Sequence, residues 1–449
     1  MDAFSSPQNI PEELTQFLQR EAFSLVIKGK AGTGKTSLAL AILTRLIQKQ
    51  NCLYISSRLA IPELFQYHRW LDEFVPDFKQ ARSSEPEEVV QVGPFVDARL
   101  DEPTAFFERI TNELMDMSSP LIIIDTWDAV GDFMDKEALF TNAKILQIWR
   151  QRAKAKLVFV LENVEDKTFD TLVDGVIELE EKYIDSRKTR RIHLSKLRGV
   201  KINRPLSFFT LDKGLFHGFR SFDQTEPLAL ANVTRRIGGA TDLSTNDESA
   251  SLIEDLLRGL LPEHSVVNLE LEPSVSTKTA LGFSIGIVSG YARRSNIILL
   301  PPAEIADVYV KQFSGILHNR GQVKVLKNPP SKVLQPNQLV ASLEKAISQV
   351  RGKGQKSRLL GVFSLGSNFN QSVDLESLER TITSSFDASV FITHSNDNVA
   401  EKIAEIADIR LKMRDLEGTL FIQPEKPWAS FYAVESDETR SGISVEPMV

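Results

Sequence analysis

Eight consecutive residues, Gly29-Lys30-Ala31-Gly32-Thr33-Gly34-Lys35-Thr36, satisfy the pattern G-x-x-x-x-G-K-[ST]. The glycines let successive backbone N–H groups turn inward, where they join the N-terminus of the following helix in cradling phosphate oxygens. The lysine of this pattern reaches the β- and γ-phosphates, and the hydroxyl after it ligates Mg²⁺. The expected ligand is therefore ATP with Mg²⁺, contacted by Gly29, Lys30, Ala31, Gly32, Thr33, Gly34, Lys35, Thr36 and Ser37. A second group completes the chemistry. Leu121-Ile122-Ile123-Ile124-Asp125 reads as an apolar strand ending in one carboxylate, which would stand beside Thr36 and hold the Mg²⁺ shell. Thr36 and Asp125 are thus the candidate metal residues, and Lys35 and Asp125 the candidate catalytic ones.

These groups need a frame that brings them together. Phe23-Ser24-Leu25-Val26-Ile27 reads as a buried strand entering the loop, and Ser37-Leu38-Ala39-Leu40-Ala41-Ile42-Leu43 as an apolar-faced helix leaving it. Strand-like and helix-like segments alternate through the first 220 residues, which predicts a largely parallel sheet flanked by helices. Its strands are Leu25–Ile27, Cys52–Ile55, Leu121–Ile124, Leu157–Leu161 and Gly175–Leu179, with Arg191–Ser195 and Ser207–Leu211 as a later antiparallel edge. Their continuous apolar, β-branched character suits strands covered on both faces. Ligands in such sheets sit beyond the strand C-termini, where the phosphate loop lies.

The polar stretch 221–250 reads as a linker. Beyond it the spacing of the first half returns. Ser265-Val266-Val267-Asn268-Leu269 is a strand, and Lys278-Thr279 takes the place of Lys35-Thr36, but every glycine of the loop is gone. The next strand ends at Leu300, 22 residues after Lys278, as Ser57 falls 22 after Lys35. Another ends at Ser364, 86 residues after Lys278, where Asp125 lies 90 after Lys35. Repetition on this scale implies duplication of a whole domain. Side chains at the former glycines would keep the backbone away from phosphate, so the second copy is expected to be a pseudo-ATPase. The expected organisation is an ATP-binding domain over 1–220, a linker over 221–250, a degenerate domain over 251–435 and a flexible tail over 436–449.

The chain has 449 residues, 42% of them hydrophobic and 25% charged, with a net charge of −7. That composition is globular. Apolar runs such as Pro120–Ile124 are too short to span a bilayer, and the first residues lack a basic-then-apolar leader pattern, so a cytoplasmic protein with no membrane partner is expected. The single cysteine, Cys52, opens an apolar strand and reads as an inert thiol. The acidic balance argues against direct nucleic-acid binding. The basic run Arg187-Lys188-Thr189-Arg190-Arg191 reads as a solvated turn between two strands.

The first 220 residues resemble the RecA superfamily, and within it the KaiC-type branch. The likeness is carried by Leu161-Glu162-Asn163, Val173-Asp174-Gly175-Val176-Ile177-Glu178-Leu179, Lys196-Leu197-Arg198-Gly199 and Phe208-Phe209-Thr210-Leu211-Asp212-Lys213-Gly214-Leu215. The tandem arrangement is similar too. The fold class implied is α/β, with two tandem RecA-like P-loop domains, the second degenerate. Within the branch, Ser24–Thr36 followed by Tyr54-Ile55-Ser56-Ser57-Arg58 is most similar to archaeal GvpD-type proteins, which are associated with repression of gas-vesicle genes. The resemblance implies that Lys196 and Arg198 reach the nucleotide of a neighbouring subunit and stabilise γ-phosphate charge in trans. It therefore implies a homo-oligomer, with a ring as the natural closed form.

One departure bears on activity. KaiC-type ATPases place glutamate at the end of the second strand to orient the attacking water, and here that place reads Ser56-Ser57-Arg58. Glu63, Asp128 and Glu162 are the conceivable substitutes. Firm ATP binding with weak or partner-stimulated turnover is expected, in a regulatory switch that signals through contacts with another protein. The alternative is a recombinase-like DNA-acting ATPase, which would need basic or glycine-rich loops after Asp125. The segment Asp128–Arg150 is helix-like instead.

Overall fold

The computed structural model describes residues 9–449 except 48–49, 75–90, 117, 132–133, 166, 225–232, 235–251, 254, 257–260, 293–294, 302–305, 308–309, 312, 314–322, 327–335, 352–357, 366–374 and 438–441. Two compact units result, residues 1–220 together with 448–449, and residues 221–447.

The strands of the first unit are β1 (Phe23–Gly29), β2 (Cys52–Ser56), β3 (Gln91–Val92), β4 (Phe95–Asp97), β5 (Leu121–Asp125), β6 (Lys156–Leu161), β7 (Gly175–Ile184), β8 (Arg187–Leu197), β9 (Leu206–Thr210) and β10 (His217–Gly218). They form one sheet in the order β10-β9-β8-β7-β1-β6-β5-β2-β4-β3. The central strands β7, β1, β6, β5, β2 and β4 run parallel, and β8 and β9 continue as an antiparallel edge. All seven residues of β1 are buried because both faces of the sheet are covered. Period-two alternation divides its side chains. Phe23, Leu25 and Ile27 pack with Leu38 and Ile42 of the helix Lys35–Leu46, whereas Val26 packs with Ile110, Leu146 and Trp127 on the opposite face.

The second unit repeats the plan. Its strands are β11 (Val233–Thr234), β12 (Ser265–Leu271), β13 (Ser295–Leu300), β14 (Val323–Val325), β15 (Arg358–Ser364), β16 (Ala388–His394), β17 (Ile409–Leu416), β18 (Thr419–Lys426), β19 (Tyr432–Asp437) and β20 (Gly442–Pro447). Their order, β11-β20-β19-β18-β17-β12-β16-β15-β13-β14, superposes strand for strand on that of the first sheet from β9 to β4. The likeness reaches single hydrogen bonds. In the first unit the Asp174 carboxylate accepts the Ser24 N–H, and the Asp174 N–H donates to the Ser24 carbonyl. Asp408 and Val266 exchange the same two bonds in the second. Both sheets are mostly parallel and flanked by helices, the tandem α/β architecture expected of RecA-like domains.

Three local expectations change. The end of the chain is a paired strand where a flexible tail was expected, because β20 runs antiparallel to β19 from Tyr432↔Pro447 to Asp437↔Gly442. Of the expected linker 221–250, Phe222 is buried in the second unit's core, Gln224 bonds Ser274 and Ser276, and Val233–Thr234 pair with β20; residues 225–232 and 235–250 lie outside the described residues. The basic run is strand β8 and not a turn. Arg187 and Arg190 are buried, Lys188 and Arg190 pair with Glu181, and the Arg191 guanidinium lies over the Phe208 ring. The turn falls earlier, at Asp185 and Ser186, both with positive φ. Among the described residues no helix is long and apolar enough to cross a membrane.

Candidate functional site

The phosphate loop leaves the carboxyl end of β1 and runs into the helix Lys35–Leu46. Its glycines are required by geometry at two places. Gly34 has φ of +97°, and a Cβ there would lie 2.8 Å from the Leu211 side chain. At Gly29 a Cβ would sit 2.7 Å from the Leu179 carbonyl of the neighbouring strand β7 and would strike the Thr33 hydroxyl. Within the loop the Lys30 carbonyl accepts bonds from the Thr33 N–H and Thr33 Oγ1, at 3.3 and 2.8 Å. Lys35 Nζ donates to the same carbonyl at 2.9 Å. Arg190 of β8 donates to the Gly32 carbonyl at 3.1 Å while paired with Glu181.

β5 is the next strand but one from β1, and its last residue completes the site. Thr36 Oγ1 donates to Asp125 Oδ2 at 2.8 Å. The Tyr54 hydroxyl donates to the same oxygen at 2.5 Å. The register explains this convergence. Tyr54 pairs with Ile123 and Ser56 with Asp125, so Tyr54, Ser56 and Asp125 share one face of the sheet. Beyond the strand, the Asp125–Thr126 peptide is cis, and Ser57 ties the two strand ends by bonding both the Thr126 N–H and carbonyl at 2.7 Å. Trp127 is fully buried against Phe107, Phe159 and Phe169, which anchors the exit from β5.

Electrostatics follow burial. The Asp125 carboxyl is pushed above its ordinary range by burial, against the pull of hydrogen bonds from Tyr54 and Thr36 and of the Lys35 cation. Burial also lowers the Lys35 ammonium, opposed by the carboxylates of Glu162, Asp125 and Asp128. Tyr54 is held well above its usual value by burial and by the adjacent carboxylate.

A hydroxyl and a carboxylate converging at 2.8 Å are hard oxygen donors, the set Mg²⁺ takes when substrate phosphates and water supply the other ligands. Among the described residues no cluster of three or more His, Cys, Asp or Glu side chains is present, so a dedicated protein cage for a metal is not what this site offers. Thr36 and Asp125 would hold Mg²⁺, and Gly29 to Ser37 the phosphates.

Lys196 and Arg198 lie elsewhere. The Arg198 N–H donates to the Asp174 carbonyl, and Asp174 pairs with Ser24 near the start of β1, the edge of the sheet opposite the loop. Five residues of strand separate Ser24 from Gly29, about 16 Å at ~3.3 Å per residue. Lys196 Nζ donates to the Asp170 and Val173 carbonyls, and Arg198 pairs with the Asp174 carboxylate at 3.1 Å. Within one chain neither joins the site. Cys52 is inert as expected, its thiol pushed up to about 12 by burial. Of the aromatics that follow β2, Phe65 is buried, Trp70 and Phe74 pack at the core margin, and Tyr67 is exposed.

In the second unit the loop is filled by the protein itself. Gln224 Nε2 donates to the Ser274 carbonyl at 3.1 Å, and Gln224 Oε1 accepts the Ser276 N–H at 2.8 Å. Ser276 Oγ accepts the Thr279 N–H, and the Glu272 carboxylate is paired with Lys412 and Arg414. Ser364 stands at the end of β15, where Asp125 ends β5.

Sequence reasoning missed Tyr54, Arg190 and Arg58. A tyrosine inside an otherwise apolar buried strand was the available signal, since a buried phenol needs a polar partner. The cations gave none, because the Gly32 carbonyl that Arg190 meets and the Glu162 carboxylate that Arg58 meets lie 158 and 104 residues away along the chain.

A phosphate loop at one strand end, with a hydroxyl–carboxylate pair bridging to a nearby strand of a mostly parallel sheet, defines a P-loop nucleotide-binding protein. Residues 14–195 match the model of the P-loop domain of the GvpD gas vesicle protein. The chain is 28% identical to Protein GvpD1 of Halobacterium salinarum strain NRC-1 over 328 residues, 69% of this chain and 58% of that protein. It is 26% identical to Protein GvpD2 of the same organism over 334 residues, 69% of this chain and 63% of that protein. It resembles GvpD proteins in its P-loop domain and spans about three fifths of the length of these relatives.

Proposed function

We propose that this chain is an ATP-dependent regulatory switch, binding Mg²⁺-ATP in the first unit, turning it over slowly or on stimulation, and signalling through protein contacts. The observation that carries the reading is the 2.8 Å bond between Thr36 and Asp125 beside the phosphate loop. It brings the two Mg²⁺-seeking oxygens together across 89 residues of sequence. Lys35, freed from the Lys30 carbonyl, would meet the β- and γ-phosphates, and ordering by a γ-phosphate is an established switch device. A second unit whose loop is filled by its own side chains suits a binding platform better than an engine.

The kinship with GvpD proteins favours a regulatory protein, in gene control, as the partner of this switch. In the same reading the chain forms a homo-oligomer in which Lys196 and Arg198 of one subunit face the nucleotide of the next. The test is titration with a fluorescent N-methylanthraniloyl ATP, with and without Mg²⁺, beside a Lys35→Ala variant. Mg²⁺-dependent binding that the variant loses is the expected result; folded protein that binds no nucleotide overturns the reading. Turnover per chain that rises with protein concentration would carry the oligomeric part.

A further inference from the structure

Three carboxylates could replace the glutamate missing from the end of β2, and their surroundings separate them. Glu63 turns back on its own helix, where Oε2 accepts the Ala60 N–H at 3.3 Å. Asp128 is spent on the backbone, its Oδ2 accepting the Glu162 N–H at 2.5 Å. That bond fixes the main chain of Glu162 immediately beyond β6, the strand between β1 and β5. Glu162 therefore stands at the carboxyl end of the strand lying between the phosphate loop and Asp125. Its side chain meets Arg58 Nη1 at 2.6 Å. Arg58 lies two residues past β2, on the far side of β5, so the pair spans the end of β5 where Asp125 sits. Both side chains keep access to solvent, at 43 and 30% exposure.

We propose that Glu162 is the water-orienting carboxylate of this site and that Arg58 is the positioning residue that holds it there. The inference rests on the reading of the first unit as an ATP-binding domain. A carboxylate beside a γ-phosphate is opposed by like charge, and a guanidinium paired with that carboxylate offsets the opposition. The arrangement exchanges places with the expected one: the cation ends β2, and the carboxylate follows β6. In the reaction the water oxygen bonds to the γ-phosphorus as the bond to the β,γ-bridging oxygen breaks, its electron pair leaving with ADP. The water proton passes to a Glu162 Oε and on to solvent.

The test uses the full chain and two readouts, steady-state hydrolysis of ATP and equilibrium binding of N-methylanthraniloyl ATP. Glu162→Gln is expected to lower turnover on the order of 10²–10⁴-fold, with nucleotide affinity retained or improved by loss of the negative charge. Arg58→Ala is expected to lower turnover and to raise the KM for ATP, and Arg58→Lys to restore part of both. A purely structural pair would not give this split between kcat and KM. Unchanged turnover in Glu162→Gln overturns the proposal. So does wild-type protein that binds the fluorescent nucleotide but never hydrolyses ATP, an outcome that leaves the nucleotide-binding reading standing. Folded wild-type protein that binds no nucleotide overturns both. If Glu162→Gln melts out, Arg58→Ala probes the same pair from a residue on a different strand.

Discussion

Asp125 is the carboxylate of the proposed Mg²⁺ site, and its state is set by what surrounds it. The Tyr54 hydroxyl and Thr36 hydroxyl both donate to Oδ2. Tyr54→Phe removes one of these donors without changing shape. A hydrogen bond to a charged group contributes roughly 1.5–3 kcal/mol, so urea unfolding of the first unit should shift to lower concentration, and the Mg²⁺ needed for nucleotide binding should rise. The raised pKa of Asp125 has a sign that can be checked. The native carboxyl holds its proton to higher pH than the unfolded one, which titrates near ~3.9. Stability from this group therefore declines as pH climbs through the window between the two values, then levels off. Because Mg²⁺ needs the ionised form, its binding should weaken on acidification and, at a pH low enough to protonate Asp125, release that proton. Calorimetry of Mg²⁺-nucleotide binding in two buffers of different ionisation enthalpy measures that proton directly.

At the scale of elements, the site depends on how β1, β5 and β6 end. The loop can follow β1 closely only because Gly34 adopts a left-handed conformation against Leu211. Alanine in such a position costs more than the ~0.4–1 kcal/mol it brings where the backbone suits it. Gly34→Ala is therefore expected to lower the thermal midpoint of the first unit and to abolish nucleotide binding, while leaving the second unit's transition in place. Differential scanning calorimetry reads both. The loop glycines and the apolar strand ending in Asp125 were legible in the sequence because each is a local pattern. The contacts around them were not: Tyr54 reaches Asp125, and Arg58 reaches Glu162, only through the strand order β1-β6-β5-β2, which no local pattern encodes.

At the scale of the whole molecule, two units with separate cores share one topology, and only one keeps a phosphate loop. Nucleotide should therefore stabilise one of two transitions. At a ligand concentration a hundred times Kd the gain is about 2.7 kcal/mol, visible as a shift of the first unit's melting transition alone; equal shifts of both would show that the second unit also takes nucleotide. The repeat itself was legible, since Lys278, Leu300 and Ser364 keep the spacing of Lys35, Ser57 and Asp125. The closing strand was not. Gly442–Pro447 looks polar and loop-like along the chain, but its backbone pairs fully with β19.

The sequence by itself determined that this chain carries a phosphate loop, an apolar strand ending in aspartate and a duplicated α/β frame, because motif spacing and strand periodicity are written in neighbouring residues. Only the tertiary structure decided what stands around that loop: Tyr54 on Asp125, Arg190 on Gly32, and Arg58 against Glu162. It also placed Lys196 and Arg198 at the opposite edge of the sheet from it. Parallel strands are joined by long crossovers, so residues that share a sheet edge are set by strand order, and chain distance says nothing about them.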